Sequence, residues 1–529
     1  MTKLTKAINN PAYALQYMKN KIFSNSKLNK IEKKYKEKNS QECMKELSNL
    51  INSFDVNTLK VNSEYVWPYL RNRLWIQLYG IGNGNENRRN LSIDFVQKGS
   101  DKNLPFKSRK NLKKEYKALE LDDLEKRNRQ VDFLFFTIIN AAEQVVLDNG
   151  KIYHRITDPF YEIAKKVGNA EKIEILKVKS RAIKKSKKYF HPVTHLLSPY
   201  IFRTGYIKKI RFGNLLSTIK KEVPSVEYSG ETLRKAIDWE FHTRDFYIDI
   251  LKIIKPKVVF FNGYHFHAPL ISAADKLGII SVDIQHGIQV GWNPLYNDWK
   301  EMPKEGYQAI PEHFFVWGEK DFNSIKKVFF GEKHSPILVG SPWIERQLEL
   351  TNTMEDKYIK EFKKYKVKTL LILQNQTEVP KIYKDLIKKS PKDYLWVVRH
   401  HPKGNRFNKS DFSSINQKNI FLSDYFDTIT LSQLFKHINI VVSAGSTVSA
   451  EADYAGLYNF IFSKKGKDNY IDEIKNGAFF TVDNYHEFYQ IVETLDMKKR
   501  ESRANAYAKV DIESIFKNFL DEKKESNSE

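Results

Sequence analysis

Short runs of β-branched and aromatic residues alternate with longer stretches of helical periodicity from residue 131 onward. The runs predict strands at residues 131–137, 172–178, 257–261, 279–284, 313–317 and 337–339. The stretches between them predict helices at residues 157–166, 231–254, 268–277 and 321–329. This alternation is typical of a parallel sheet that is doubly wound by helices.

The same alternation begins again after a polar, charged stretch at residues 345–366. It predicts strands at residues 369–373, 394–399, 419–422, 438–442 and 458–462, and helices at residues 381–388, 430–435, 447–455 and 485–495. A last amphipathic helix is predicted from about residue 502 to residue 520. Two doubly wound domains in tandem bind ligands between the carboxyl ends of their strands. We therefore expect an α/β protein with two such domains facing a cleft.

The first 130 residues lack this alternation and predict helices and loops, including a solvated helix at residues 32–38 and an aromatic-rich one that begins at residues 66–71. The glycine-rich run at residues 80–84 follows no strand and precedes no apolar helix, so it predicts a flexible turn rather than a nucleotide-binding loop. The pattern thus divides the chain into residues 1–130, 131–344, 345–495 and 496–529.

Composition excludes several classes of protein. Hydrophobic residues make up 41% and charged residues 29% of the 529 positions, which is typical of a globular protein. The single cysteine, Cys43, allows neither an intrachain disulfide nor a cysteine-based metal site. No apolar run reaches the length of a membrane span, and no signal peptide is evident at the N-terminus. We therefore expect a cytoplasmic protein that does not span a membrane.

Positive charge is concentrated in two parts of the chain. The net charge is +24, and residues 1–130 carry about 27 basic against about 14 acidic side chains. No acidic residue occurs between Glu174 and Glu222, where the basic residues are Lys177, Lys179, Arg181, Lys184, Lys185, Lys187, Lys188, Arg203, Lys208, Lys209, Arg211, Lys220 and Lys221. Such charge favours an anionic partner, either nucleic acid or an anionic membrane surface, although a solvated basic face would have the same composition.

Polar residues that could carry chemistry follow two strands of the first predicted sheet. Asp283, Gln285 and His286 end one strand, and a histidine of near-neutral pKa suits removal of a proton from an attacking hydroxyl. The alternative is a turn histidine that is hydrogen-bonded to the backbone. Residues 262–267 follow the neighbouring strand and supply three further candidates for the same cleft: Asn262, His265 and His267. No third ligand accompanies the two histidines of this group, so a metal site is not predicted.

The second predicted sheet supplies three more polar loops. Arg399, His401 and Lys403 follow one strand and suit a phosphate or pyrophosphate, or they form a basic loop at the sheet edge. In the second loop, small residues and hydroxyls begin a helix, where free N–H groups attract anions and a serine can simply cap the helix. Its candidates are Ser443, Ser446, Thr447 and, one turn into the helix, Glu451. Gln374 ends the first strand of this domain and supplies the third loop.

Together these motifs resemble a known group of enzymes. A Gln-His-Gly turn in one Rossmann-like domain, with a His-Pro turn and a Ser-Thr helix start in the next, is similar to inverting GT-B glycosyltransferases of bacterial surface polysaccharides. Within that group, the pattern resembles sialyltransferases and polysialyltransferases, capsular Kdo transferases and teichoic acid glycerophosphotransferases. The resemblance covers about residues 131–495. It implies an acceptor domain at residues 131–344 and a nucleotide-donor domain at residues 345–495.

The resemblance also implies roles for residues. His401, Ser446 and Thr447 would contact a CMP-sugar donor, and His286 would be the base. The acidic-acidic-Gly motif of sialyltransferases is absent, which leaves Asp283 as the other candidate base. No Asp-x-Asp motif occurs, so metal-independent transfer without a cofactor is expected. The expected partners are a nucleotide-sugar donor, a glycan or lipid-linked acceptor and the anionic inner face of the plasma membrane, with no nucleic acid. Three alternatives stay open: a nucleotide-sugar 2-epimerase, a CDP-glycerol-type glycerophosphotransferase and a basic nucleic-acid-binding protein.

Overall fold

The fold was analysed in a computed structural model. It describes residues 40–82, 131–138, 143–147, 149–175, 189–191, 195–197, 212–224, 230–287, 289, 295–299, 302–329, 331–349, 354–374, 376–401, 404–412, 419–498, 500–502 and 507–525. The predicted helix at residues 32–38, Lys403 and most of the basic residues between Glu174 and Glu222 lie outside these ranges.

The described helices are numbered in chain order. They are α1 (Ser40–Ser53), α2 (Trp67–Gly82), α3 (Asp158–Val167), α4 (Leu215–Glu222), α5 (Gly230–Ile254), α6 (Ala268–Lys276), α7 (Glu319–Val328), α8 (Pro342–Glu349), α9 (Asp356–Phe362), α10 (Lys381–Lys388), α11 (Asp424–Thr428), α12 (Leu431–Phe435), α13 (Val448–Tyr454), α14 (Lys464–Asn469), α15 (Ile471–Lys475), α16 (Tyr485–Thr494) and α17 (Ile512–Glu525).

The described strands are numbered in the same way. They are β1 (Lys60–Val61), β2 (Glu64–Tyr65), β3 (Phe133–Ile138), β4 (Gln144–Val146), β5 (Ile152–His154), β6 (Ala170–Ile175), β7 (His195–Leu197), β8 (Val258–Phe261), β9 (Ile280–Ile284), β10 (His313–Val316), β11 (Ser335–Leu338), β12 (Val367–Ile372), β13 (Tyr394–Arg399), β14 (Ile420–Phe421), β15 (Ile440–Ser443), β16 (Tyr458–Ile461) and β17 (Phe479–Thr481).

The chain forms two compact units, residues 1–105 with 203–239 and residues 106–202 with 240–529. In the first unit, α1 packs against α2 and α4. Leu50, Leu70 and Leu74 are fully buried there, so apolar helix faces form its core. Within the predicted region 1–130, the structure describes residues 40–82, and these are mainly helical. Two details differ: β1 and β2 form a short antiparallel hairpin, and α2 continues through Gly82, where the sequence predicts a flexible turn.

The second unit contains two parallel sheets, which confirms the predicted α/β architecture of two Rossmann-like domains. The first sheet has seven strands in the order β11-β10-β9-β8-β3-β6-β7, and the second has six in the order β14-β13-β12-β15-β16-β17. In each sheet the chain winds outward in one direction and then returns to wind in the other. The order therefore reverses between β3 and β8 in the first sheet and between β12 and β15 in the second. Ligands of doubly wound sheets bind at these reversal points.

Alternating side chains build the core of the second sheet. Leu395 and Val397 lie in one apolar cluster, whereas Trp396 and Val398 lie in another, because successive side chains of a strand point to opposite faces. Both faces are covered by helices, so the strands are apolar on both sides, as is typical of parallel sheets.

Two stretches differ from the prediction. The polar region at residues 345–366 contains most of α8 and all of α9, and Phe362 is buried in the core of the second sheet. The C-terminal helix begins at Ile512 and packs against the first sheet, with Phe516 and Phe519 in its core. The chain thus returns to the first sheet after it completes the second.

Candidate active site

Two loops lie side by side at the carboxyl end of the first sheet. β8 and β9 are paired in parallel with Phe261 opposite Asp283, so the residues that follow them emerge at the same level. Gly263 adopts a left-handed φ of +74°, and a Cβ built on it would approach His286 Cε1 to 3.4 Å and His265 Cε1 to 3.5 Å. The positive φ favours glycine at this position, and both imidazole rings lie in van der Waals range of the backbone of the β8 loop.

His286 is half-buried at this end of the sheet. Its Nδ1 atom is buried and has no hydrogen-bond partner among the described residues. Burial lowers the pKa of His286, and the negative charge of Glu143 opposes this effect. A neutral imidazole beside a carboxylate can accept a proton, because the carboxylate stabilises the imidazolium that forms.

Glu143 is a residue of this site that the sequence did not indicate. It is buried, accepts a hydrogen bond from Asn262 Nδ2 at 3.0 Å, and pairs with His154 Nε2 at 3.3 Å. Burial alone would raise the pKa of Glu143, but the hydrogen bond and charge of His154, with His286 and Asn262, lower it to about 2. The carboxylate is therefore ionised near neutral pH and fixed in position by two elements.

Asp283, the other candidate base, is fully buried below the β8 loop. The phenol of Tyr296 donates a hydrogen bond to its Oδ2 atom at 2.9 Å. Burial raises the pKa of Asp283 to about 8, and the backbone N–H groups of Gly263 and Tyr264, with Tyr296, limit the rise. Its position suits support of the loop rather than contact with an acceptor.

The other candidates in the first sheet take different positions. Gln285 donates to the carbonyl of Gly287 at 3.0 Å and accepts from the amide of Trp317 at 2.7 Å, so both ends of its side chain hold the loop. His267 is fully buried against the ring of Phe261. His265 is half-buried, with its ring centroid 3.9 Å from that of Phe266. Of these three, only His265 reaches the surface.

Arg399 and His400, at the end of β13, form hydrogen bonds within the second domain. Arg399 donates to the carbonyl oxygens of Ile429 at 2.8 Å and Asp427 at 3.3 Å. His400 is buried between the Asp427 carboxylate, 2.8 Å from its Nδ1, and the backbone of Phe407. His401 follows, half-buried, and its carbonyl accepts from the amide of Gly404 at 2.9 Å.

Gln374 lies beside this turn. A Cβ built on Gly404 would be 3.0 Å from the carbonyl oxygen of Gln374. Its strand β12 pairs with β13 on one side and β15 on the other, with Ile372 level with both Arg399 and Ser443. The three polar loops predicted from the sequence of this domain therefore begin side by side at the carboxyl end of the second sheet.

The loop after β15 is organised around one hydroxyl. Ser443 Oγ accepts from the amides of Gly445 at 3.0 Å and Ser446 at 3.3 Å, and it shares a hydrogen bond with Ser449 Oγ at 2.9 Å. Ser446 Oγ accepts from the amide of Val448 at 3.3 Å, whereas Thr447 makes no capping hydrogen bond. Ser443 thus supports the loop, and Ser446 and Thr447 precede α13.

Glu451, one turn into α13, pairs with a residue beside the β4–β5 hairpin of the first domain. Its Oε1 atom lies 3.6 Å from Nη1 of Arg155, which directly follows β5 in the first domain. Burial raises the pKa of Glu451, while the positive charges of Arg155 and Arg399 lower it. Burial also lowers the pKa of Arg399 to about 10, an effect that Asp427 and Glu451 oppose.

An aromatic cluster holds the two domains together near this pair. Tyr153, Trp317 and Trp343 of the first domain pack with Ala450 of the second and with Tyr507 of the returning C-terminal segment. The side chain of Tyr153 comes from β5, immediately before His154 and Arg155. The hairpin that carries the unexpected polar residues is therefore anchored in a buried contact between the domains.

Glu143, His154 and Arg155 all belong to or flank the hairpin β4–β5. Sequence reasoning missed them because the strands are only three residues long. The one available signal was the Asn149-Gly150 pair, a frequent hairpin turn, in which Gly150 has a φ of +72°.

Comparisons with known proteins add little to this geometry. No protein-family model and no curated protein matches the chain. A UDP-GlcNAc 2-epimerase from Neisseria meningitidis bound to UDP-GlcNAc is similar with a TM-score of 0.46 and 13% identity, over 74% of this chain and 100% of that chain. The calicheamicin glycosyltransferase CalG4 is similar with a TM-score of 0.42 and 12% identity, over 69% and 90% of the two chains. Likenesses this distant carry no argument about activity.

Two further observations concern the described residues only. No described helix is long and apolar enough to cross a membrane. No group of three or more histidine, cysteine, aspartate or glutamate side chains within the described ranges is arranged to hold a metal ion.

Proposed function

We propose that the protein is a glycosyltransferase that moves a sugar from a nucleotide-sugar donor to a hydroxyl of a glycan or lipid-linked acceptor. One observation carries the proposal. A half-buried imidazole, His286, lies near an ionised carboxylate, Glu143, at the carboxyl end of the first sheet. Proton removal from an acceptor hydroxyl is the chemistry that such a pair supports.

The reaction is a single displacement. Because Nδ1 of His286 is buried, Nε2 is the ring nitrogen that takes the proton of the acceptor hydroxyl. The acceptor oxygen then forms a bond to the anomeric carbon, the bond between that carbon and the phosphate oxygen breaks, and the nucleotide leaves with the electron pair. Attack on the face opposite to the leaving group inverts the configuration. The imidazolium returns its proton to solvent.

The second sheet binds the donor in this proposal. His401, Lys403 and the Ser446-Thr447 turn are assigned to the nucleotide phosphate, and Glu451 to a ribose or sugar hydroxyl. A CMP-sugar is the favoured donor, on the resemblance to sialyltransferases and Kdo transferases. The absence of an Asp-x-Asp motif favours phosphate stabilisation by cationic side chains rather than by a metal ion.

Two steps test the proposal. Thermal unfolding with CMP, CDP, UDP and GDP first identifies the nucleotide, since a ligand at 100 times its Kd stabilises by about 2.7 kcal/mol. Release of that nucleotide from its sugars is then measured with and without a glycan acceptor. Release that requires the acceptor supports transfer. Interconversion of the sugar without an acceptor would assign an epimerase instead, and transfer of glycerol phosphate from CDP-glycerol would assign a glycerophosphotransferase.

The basic residues extend the proposal to a membrane surface. Each lysine or arginine near an anionic leaflet contributes about 1 kcal/mol, so several of the lysines at positions 184–188 would bind it together. Lys184, Lys185, Lys187 and Lys188, changed together to Glu, are expected to release the protein from phosphatidylserine vesicles in a flotation assay. Unchanged flotation would assign these lysines to a solvated face, and a DNA mobility shift at physiological salt would favour nucleic acid.

A further inference from the structure

Arg155 has no role in the sequence motifs or in the proposed function. Its backbone N–H donates to the carbonyl of Glu143 at 2.9 Å, so the residue is anchored in the hairpin of the first domain. Its guanidinium reaches Glu451 of the second domain at 3.6 Å. This separation exceeds the 2.7–2.9 Å of a strong charge-assisted hydrogen bond. The ion pair is therefore loose.

The guanidinium of Arg155 has hydrogen-bonding capacity left. Its Nε atom is buried, and none of the described residues accepts a hydrogen bond from it. A buried donor without a partner costs free energy, which a ligand that supplies an acceptor would recover. The side chain is 24% exposed, so a ligand can reach it.

Arg399 adds a second positive charge at the same place. Its described hydrogen bonds are to the neutral carbonyl oxygens of Ile429 and Asp427. The Asp427 carboxylate is engaged by the backbone N–H and Nδ1 of His400 and by Arg406. The carboxylates of Glu451 and Asp427 both act on Arg399, and Glu451 also acts on Arg155. Three guanidinium groups, those of Arg155, Arg399 and Arg406, thus share two carboxylates, which leaves an excess of positive charge near the buried Glu451.

We propose that Arg155 and Arg399 form a phosphate-binding site between the two domains, in which Glu451 competes with the phosphate for Arg155 in the ligand-free protein. The inference rests on the proposed function, because the phosphate is that of the nucleotide-sugar donor. When phosphate binds, Arg155 leaves Glu451, whose carboxylate becomes available to a hydroxyl of the donor. Guanidinium groups suit this role because their planar N–H groups match phosphate oxygens in pairs.

Calorimetry with inorganic pyrophosphate, CMP and UDP tests the site at constant ionic strength, with cytidine and uridine as phosphate-free controls. Arg155→Gln is expected to weaken binding of pyrophosphate and of the preferred nucleotide by about 10- to 150-fold, the effect of one charge-assisted hydrogen bond. Arg155→Lys retains the charge and should lose less. Nucleoside binding should not change. Equal binding by wild type and Arg155→Gln would overturn the site, as would an equal loss of nucleoside and nucleotide binding.

The variant Glu451→Gln tests whether Glu451 competes with phosphate for Arg155 or only forms a structural ion pair with it. Removal of the competing carboxylate is expected to strengthen pyrophosphate binding several-fold, whereas a structural pair would make both variants bind more weakly. Arg234→Gln is the matched control, because Arg234 also pairs with a glutamate, Glu231 at 2.7 Å, and belongs to the first compact unit. It should bind pyrophosphate as the wild type does. Thermal unfolding of each variant confirms that the comparison is made between folded proteins.

Failure of this inference differs from failure of the proposed function. If pyrophosphate binding depends on Arg155 but nucleotide release does not require an acceptor, the phosphate site stands and the transferase proposal is wrong. The opposite result is also informative. If Arg155→Gln binds pyrophosphate and nucleotide as the wild type does, and nucleotide release still requires the acceptor, the phosphate site is wrong and the transferase proposal stands.

Discussion

The carboxyl ends of the two sheets carry different kinds of polar group. At the first sheet, His286 has an imidazole whose pKa is lowered by burial, near a glutamate whose pKa is about 2. At the second sheet, Ser443 is hydrogen-bonded within its own loop, and His400 is held by the Asp427 carboxylate of α11 and by the amide of Phe407. The carboxyl end of the first sheet therefore carries an imidazole that can gain a proton, whereas that of the second sheet carries side chains that fix the conformation of their loops.

This difference matches the demands of the two halves of a transfer reaction. A base must gain and lose a proton, so its acceptor nitrogen has to stay available. A donor site has to present its N–H groups and charges in a fixed geometry, so that no energy is lost in arranging them when the ligand arrives. Four predictions address this comparison.

The largest effect is expected at His286. His286→Ala should lower acceptor-dependent turnover by about 10²- to 10⁴-fold, because general base catalysis is lost, while nucleotide affinity stays near that of the wild type. Steady-state kinetics and calorimetry measure the two effects. Asp283→Asn is the comparison variant and should retain turnover. Wild-type turnover in His286→Ala together with loss in Asp283→Asn would transfer the base role to Asp283.

The second prediction concerns the pH dependence of stability. Because burial raises the pKa of Asp283 to about 8, its ionisation opposes folding, and its contribution to stability should fall as the pH rises from about 4 to 8. The contribution is at most about 1.4 kcal/mol for each pH unit in that window. Asp283→Asn removes it, so the difference between the two unfolding free energies should depend on pH. Denaturant unfolding at pH 5 and pH 8 measures this; parallel curves would mean that Asp283 is ionised in the folded protein.

The third prediction tests the donor side. His401→Ala should weaken nucleotide binding by about 10- to 150-fold if its imidazole makes a charge-assisted hydrogen bond to phosphate. Ser446→Ala should have a milder effect, since backbone N–H groups remain. Calorimetry with the preferred nucleotide measures both. An unchanged affinity in His401→Ala would remove this residue from the donor site and leave the phosphate to other groups.

The smallest effect is expected at Ser443. Ser443→Ala leaves the amides of Gly445 and Ser446 without their acceptor and should lower the free energy of unfolding by about 1–3 kcal/mol. Turnover per folded molecule should change little, because the hydroxyl serves the loop and not the ligand. A normal unfolding free energy with lost nucleotide binding would instead make Ser443 a ligand contact and weaken the contrast between the sheets.

Much of the fold was predictable because most strands of the two sheets are compact apolar runs. Tyr394–Arg399 was predicted with both ends correct, and Val258–Phe261 with one. The loops with His286 and Ser443 were predictable as well, since polar residues directly follow those runs. The short strands β7 and β17 were missed, because three residues give too little pattern.

The rest of the site depends on contacts that a linear pattern does not contain. Asp283 remained a candidate base beside His286, because the sequence does not show that the Asp283 side chain is buried and hydrogen-bonded to Tyr296. Arg155 gained its role only from contact with Glu451, which lies almost 300 residues further along the chain. The hairpin that carries it is short, and its apolar residues are packed against the other domain.

The return of α17 to the first sheet has a consequence for synthesis of the protein. Phe516 and Phe519 pack among Phe133, Phe260 and Phe315, so the core of the first sheet includes residues that are synthesised after the whole second sheet. The second sheet has all its strands once residue 481 has emerged, whereas apolar surface of the first sheet stays uncovered until α17 has been synthesised. The order of completion is therefore the reverse of the order of translation. A nonsense codon before residue 512 would leave a nascent chain whose later half is folded and whose earlier half is a substrate for chaperones.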